Sequence, residues 1–140
     1  MRPSVFTYLD YRHFLGDLYV SLKEDHRAFS YRSFARLAGS SSPNFLQLIR
    51  DRKLNIQPPG VHALSRSLKF TARERRFFEN LVAFDHAATH DEKDRCFRSI
   101  LSAREYRQVK TLQRDQYELF SHWYVPVIRE LAADPRGSGD

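Results

Sequence analysis

The chain has 140 residues, 41% apolar and 29% charged, which fits one globular domain or a small domain with an appendage, with no internal repeat or low-complexity tract. Its single cysteine, Cys96, excludes an intramolecular disulfide and suits a reducing cytoplasm; no apolar run approaches bilayer length, and MRPSVFTYLDYRHF lacks a signal-peptide apolar core. The net charge of +6 is unevenly held: residues 26–76 carry eleven Arg and Lys against only Asp51 and Glu74, a net of +9 that suits a polyanionic partner and leaves −3 for the rest.

Residues 1–7 read as a loose lead-in. Leu9, Tyr11, Phe14, Leu15, Leu18, Tyr19 and Leu22 recur at three- and four-residue steps, which predicts an amphipathic helix over 8–23 that covers a helical hairpin after it. The stretch SYRSFARLAGSSSPNFLQLIRDRK, residues 30–53, reads as that hairpin, two short helices joined by a tight turn. Ser30 is placed to cap a helix over 31–38, and Gly39 ends it at low steric cost. Ser41 or Ser42 is expected to cap the second helix, with Pro43 at its first position, where a missing amide loses nothing. Phe34, Ala35, Ala38, Phe45, Leu48 and Ile49 form a mutual apolar face, leaving Arg32, Arg36, Asn44, Gln47 and Arg50 outside it.

The basic loop RDRKLNIQPPG comes next. Pro58 and Pro59 disfavour helix before them and Gly60 adds a break; Val61, Leu64, Leu68 and Phe70 then predict a short helix over 60–68, ending near Lys69. Thr71-Ala72-Arg73-Glu74 has capping-box form and predicts a helix to about residue 83 that buries Phe77, Phe78, Leu81 and Val82. A second box, Thr89-His90-Asp91-Glu92, opens a helix to about residue 103 with Cys96, Phe97, Ile100 and Leu101 inward. Residues 104–111 read as a short strand or an extended connection. A long helix is expected over 113–132, where Tyr117, Phe120, Tyr124, Val127 and Leu131 step by 3, 4, 3 and 4, and Pro126 bends it about a turn upstream. Residues 134–140 have the composition of a disordered tail.

The run FARLAGSSSPNFLQLIRDRKLNI resembles the helix-turn-helix of phage-repressor-like transcriptional regulators: apolar hairpin positions, a glycine at the turn, and a polar second helix before a basic loop. More narrowly, YLDYRHFL, FSYRSFARLAGSSSPNFLQLI, the EKDRCFRSIL region and DQYELFSHWYVPVIREL resemble a bacterial family of predicted transcriptional regulators. In that family the motif precedes a domain of uncharacterised function and the chain runs on much further. The similarity reaches from about residue 8 to 131. It implies an all-α fold: a phage-repressor-like, five-helix helix-turn-helix domain over 1–87, a helical extension over 88–133 with dimerisation as its candidate role, and a tail over 134–140. The implied partners are double-stranded DNA and a second copy of the chain, in a cytoplasmic setting.

Under that resemblance residues 42–50 are the recognition helix. Ser41, Ser42, Asn44 and Gln47 lie at its N-terminal end, where Asn and Gln pair bidentately with adenine and serine hydroxyls meet several base edges. Arg32, Arg50, Arg52 and Lys53 are placed for phosphates, which fix register without reading sequence. The Tyr117, Phe120, Tyr124, Val127 and Leu131 seam, widened by Trp123 and Ile128, is the expected joint between two copies. His86 and His90 have metal-ligand spacing but straddle a predicted helix boundary, and Cys96 lies on an apolar face where an inert thiol is the ordinary outcome. With no Gly-rich phosphate loop, paired carboxylates or nucleophile elbow, no enzyme, metal or cofactor is expected. The rival reading is a non-catalytic protein-interaction module that uses the same fold and the aromatic C-terminal helix.

Overall fold

Side-chain caps explain where four of the helices begin. Asp10 accepts from the Arg12 amide to start α1 (Tyr11–Asp25), and Ser30 with Ser33 forms a reciprocal box at the start of α2 (Tyr31–Leu37). Thr71 with Glu74 opens α5 (Ala72–His86), and Thr89 with Glu92 opens α6 (His90–Ser102). Glu92 accepts from the Ala88 and Thr89 amides, which hold its carboxyl below the usual carboxylate range. Between these lie α3 (Phe45–Arg50) and α4 (Pro58–Ser67), and α7 (Arg104–Leu112) comes last. The computed structural model describes residues 2–112; among them there are seven helices, a 3-10 turn at Val5–Thr7 and no strand, an all-α architecture. No helix among the described residues is long and apolar enough to cross a membrane. The chain divides into two compact units, Met1–Tyr106 and Arg107–Asp140, and the core belongs to the first. Helix α6 packs on α5 inside the first unit.

The core gathers one face from each of α1 to α5. Phe14, Leu15 and Leu18 of α1, Phe34 of α2, Leu46 and Ile49 of α3, Leu64 of α4, and Phe77, Phe78 and Leu81 of α5 are all buried. Each such side chain contributes roughly 1.5–3 kcal/mol relative to exposure. Phe14, Phe70 and Phe78 form an aromatic triangle with centroids 5.9–6.3 Å apart. Tyr19 of α1 stacks flat on Tyr31 of α2, centroids 4.3 Å apart, so α1 covers the hairpin as its periodicity predicts.

Several expectations are corrected. The lead-in is packed: Val5 is buried, Phe6 meets the Phe77 ring at 5.1 Å, and Arg2 Nη1 donates to the Leu68 carbonyl at 2.8 Å. The second hairpin helix starts at Phe45, so neither Ser41 nor Ser42 caps it and Pro43 lies in the preceding turn; Asn44 occupies the cap position, but its side chain accepts no amide of the first turn. The Ser42 amide donates instead to Ser40 Oγ, and the Phe45 amide to the Ser42 carbonyl. Leu46, not Leu48, is fully buried, because a helix phased from Phe45 turns 45, 46 and 49 inward. Pro58 and Pro59 begin α4 rather than precede it, Pro58 taking the first helical position where its missing N–H has no partner to lose. Residues 104–111 are helical: Arg104, Glu105, Arg107, Gln108 and Lys110 are good helix formers, and Tyr106 is drawn inward against Phe77, ring centroids 5.8 Å apart. The long helix over 113–132, its seam from Tyr117 to Leu131 and the tail over 134–140 lie outside the described residues.

Candidate nucleic-acid interface

The hairpin is built from both ends inward. At the end of α2, Gly39 adopts φ +72°, its amide donates to the Arg36 carbonyl, and the Ser40 amide donates to the Ala35 carbonyl. Phe45, Leu46 and Ile49 then anchor α3 against α1 and α2, which leaves Ser41, Asn44, Gln47 and Arg50 exposed and Ser42 half-buried. Asn44, Gln47 and Asp51 step by three and four, one line along the outer face of this helix. At under two turns, α3 is short, and its N-terminal side chains are its most accessible polar groups. Ser42 Oγ donates to Asn44 Oδ1 at 2.6 Å, so these two candidate base-reading groups are tied to each other.

A buried arginine fixes the far end of α3. Arg12 is only 5% exposed, yet all five of its N–H donors are satisfied. Nη1 donates to the Ile49 carbonyl at 2.6 Å and to Leu54 at 2.9 Å, Nη2 to Asn55 Oδ1 at 2.6 Å, and Nε and Nη2 both to Asp85 Oδ2. The last carbonyls of a helix have no partner within it, so this guanidinium closes α3 and pins the loop after it. Beside it the Tyr11 hydroxyl accepts from the Ile56 amide and shares a 3.0 Å hydrogen bond with His86 Nε2. Burial holds His86 below its ordinary value, with Arg12 adding to the effect and Asp85 opposing it. Burial likewise raises the Tyr11 phenol.

The three arginines and one lysine expected at phosphates divide into two kinds. Arg32, Arg50 and Lys53 are exposed and have no ion-pair partner among the described residues, and Arg36 joins them. Arg50 crosses α1 at Gly16, where an added Cβ would lie 3.4 Å from its Nε. Arg52 differs: its guanidinium meets Asp85 Oδ1 at 3.3 Å and Asp10 Oδ2 at 3.8 Å, so acids already balance its charge. Its backbone, at φ +60°, points it back toward those acids.

Periodicity alone does not disclose Arg12 or Asp85, although each leaves a trace. Arg12 shares a stripe with Leu15, Tyr19 and Leu22, and Asp85 with Phe78, Leu81 and Val82. A charge inside an apolar stripe signals a buried partner, and here the two signals answer each other. His86 ends α5 and His90 begins α6, so their four-residue step does not put them on one helical face. Among the described residues no group of three His, Cys, Asp or Glu is gathered as a metal site would need.

Fold and site together define a class: an all-α chain whose second and third helices present a polar, cationic outer face held by a buried guanidinium. Compared with protein-family models, with curated proteins and with solved structures, the chain matches none.

Proposed function

We propose that the chain binds double-stranded DNA sequence-specifically, as a transcriptional regulator of the phage-repressor-like helix-turn-helix kind. The observation that carries this reading is the outer face of α3. Uncharged Ser41, Asn44 and Gln47 occupy its accessible end, while the cations Arg32, Arg36, Arg50 and Lys53, unpaired among the described residues, flank it within a segment of net charge +9. Polar groups able to read base edges, bordered by cations able to meet phosphates, are what major-groove recognition by a short helix requires. In this reading α3 with the turn before it corresponds to the recognition element over 42–50, and Arg12 is its positioning residue.

The family resemblance and the cytoplasmic setting belong to the same proposal. So does pairing of two copies through the Tyr117, Phe120, Tyr124, Val127 and Leu131 seam, since one recognition helix contacts one half-site. No catalytic role, metal or cofactor enters it.

The test is selection of bound duplexes from a random pool, followed by titration of the selected site at several salt concentrations. Enrichment of one sequence, with affinity falling steeply as salt rises, supports the reading. Asn44→Ala or Gln47→Ala should then relax the preference by about 1–3 kcal/mol at particular bases. No enrichment and no duplex binding at low salt would refute it.

A further inference from the structure

Away from the outer face of α3, the corner between α4 and α5 encloses a depression of about 490 Å³. Its wall takes His62, Ser65, Arg66 and Lys69 from α4 and the residues that end it, and Arg75 from the first turn of α5, with Phe70 between. Within α4, His62, Ser65 and Arg66 step by 3 and 1, so one helical face gathers them, and Lys69 joins from just beyond the helix end. No carboxylate lines the depression, and Arg66, Lys69 and Arg75 have no ion-pair partner among the described residues. The adjacent acid, Glu74, is occupied elsewhere, its Oε1 accepting from the Thr71 amide at 2.8 Å.

Two further observations concern single residues. Ser65 is 5% exposed, and its hydroxyl has no hydrogen-bond partner among the described residues, although buried hydroxyls are ordinarily satisfied. Lys69 stands at φ +58°, the position after a helix that glycine fills at least cost. Three like charges, an unused buried hydroxyl and a lysine in a glycine's conformation each oppose folding when nothing is bound. A small anion with several acceptor oxygens relieves the first two together and gives the third a purpose.

We propose that this depression is a binding site for a phosphate group, contacted by Ser65, Arg66, Lys69 and Arg75, on a free phosphorylated compound or on a nucleic-acid backbone. The site itself needs no base reading by α3.

Inorganic phosphate is titrated into the full chain at constant ionic strength, with amide resonances followed residue by residue. Saturable shifts centred on residues 65–75 are expected. Lys69→Gly and Ser65→Ala should unfold at the same temperature as the parent or higher, because each removes a cost of the empty site. Both should nevertheless weaken phosphate binding by about tenfold, the effect of removing one charge-assisted or buried hydrogen bond; Arg66→Gln should do likewise. A second arm repeats the three variants against duplex DNA. Weakened duplex binding assigns the phosphate to a nucleic-acid backbone, and unchanged duplex binding assigns it to a free compound. Non-saturable shifts, shifts centred elsewhere, or unchanged phosphate affinity in all three variants would overturn the site.

Discussion

Arg12 and Asp85, 73 residues apart in sequence, meet through two hydrogen bonds to one oxygen, from Nε at 3.2 Å and Nη2 at 3.0 Å. The other oxygen of Asp85 faces Arg52 at 3.3 Å. One carboxylate thus serves two arginines, a buried one that closes α3 and an exposed one on the loop after it. Helix α5 is thereby tied to α1 and to the end of α3, which connects the orientation of the candidate recognition helix to the support beneath it.

Removing the buried member should be severe. Arg12→Met takes from Asp85 its buried partner, leaving only the exposed Arg52 beside it, and removes a charged donor from the Ile49 and Leu54 carbonyls. The expected cost is about 3–5 kcal/mol, a large share of a typical domain's stability. Asp85→Asn retains an acceptor for Arg12 and should cost less, about 1–3 kcal/mol. Urea unfolding of both variants measures the two. A change below about 1 kcal/mol for Arg12→Met would mean the network is not structural.

The Tyr11–His86 contact makes a pH prediction whose sign is set by burial. His86 is held below its ordinary value, so the folded state disfavours its protonated form. Above about pH 6.5, the unfolded value, both states carry neutral imidazole and the contribution is fully present. As pH falls from there toward the lowered folded value, the unfolded chain gains the proton first and stability declines; below the folded value the loss levels off. Unfolding midpoints from about pH 8 to 5 should therefore fall less in His86→Gln than in the parent. Parallel curves would place the titration elsewhere.

How much of the fold is legible in the sequence depends on whether a signal is local. The Ser30 cap, the Thr71 and Thr89 boxes and Gly39 each act within a few residues, and each stands where its pattern predicts. Three helices close in one way: the amides of Ser40, Lys53 and Phe70 donate five residues back to Ala35, Leu48 and Ser65. Only the first closure carries its glycine. At Arg52 and Lys69 a basic residue takes the left-handed position, and no composition rule marks that. The start of α3 is hidden because Ser42 is a good cap by type, but tertiary packing of Phe45 and Leu46 sets the phase. Of the site, the outer residues are readable as whatever the apolar face excludes. Their division into paired and unpaired cations is not, since Asp85 lies 33 residues from Arg52.

Those closures differ in strain, and substitution should show it. Gly39→Ala introduces a side chain at φ +72°, although the new Cβ would meet Ala63 only at 3.5 Å, an ordinary contact. The expected loss, about 1–2 kcal/mol, is thus conformational. Thermal unfolding checks it, and an unchanged midpoint would show that the turn can adopt another conformation.

Gly16 behaves oppositely. It lies inside α1, where glycine costs about 0.5–1 kcal/mol relative to alanine, and a Cβ there would meet only the flexible end of Arg50. Gly16→Ala should stabilise the fold by about that amount. Destabilisation would mean that Arg50 cannot yield and is locked across α1.

The paired and unpaired cations give the sharpest test of the proposed interface, because they differ in electrostatics while lying within four residues of one another. A cation that meets a phosphate releases a condensed counterion, so removing one such cation should reduce the log–log salt slope by about 0.9. Arg50→Ala and Lys53→Ala, exposed and unpaired among the described residues, should each produce that reduction. Arg52 already faces Asp85 and Asp10, so a phosphate would have to displace carboxylates to reach it. Arg52→Gly should leave the slope nearly unchanged, and glycine suits its φ of +60°, so the fold is not strained by the substitution. Duplex titrations from low to moderate salt on all three variants measure the slopes directly. Equal reductions at 50, 52 and 53 would show that Arg52 leaves its acids on binding. A reduction at Arg52 alone would move the phosphate-facing surface from the outer side of α3 to the loop beside Asp85.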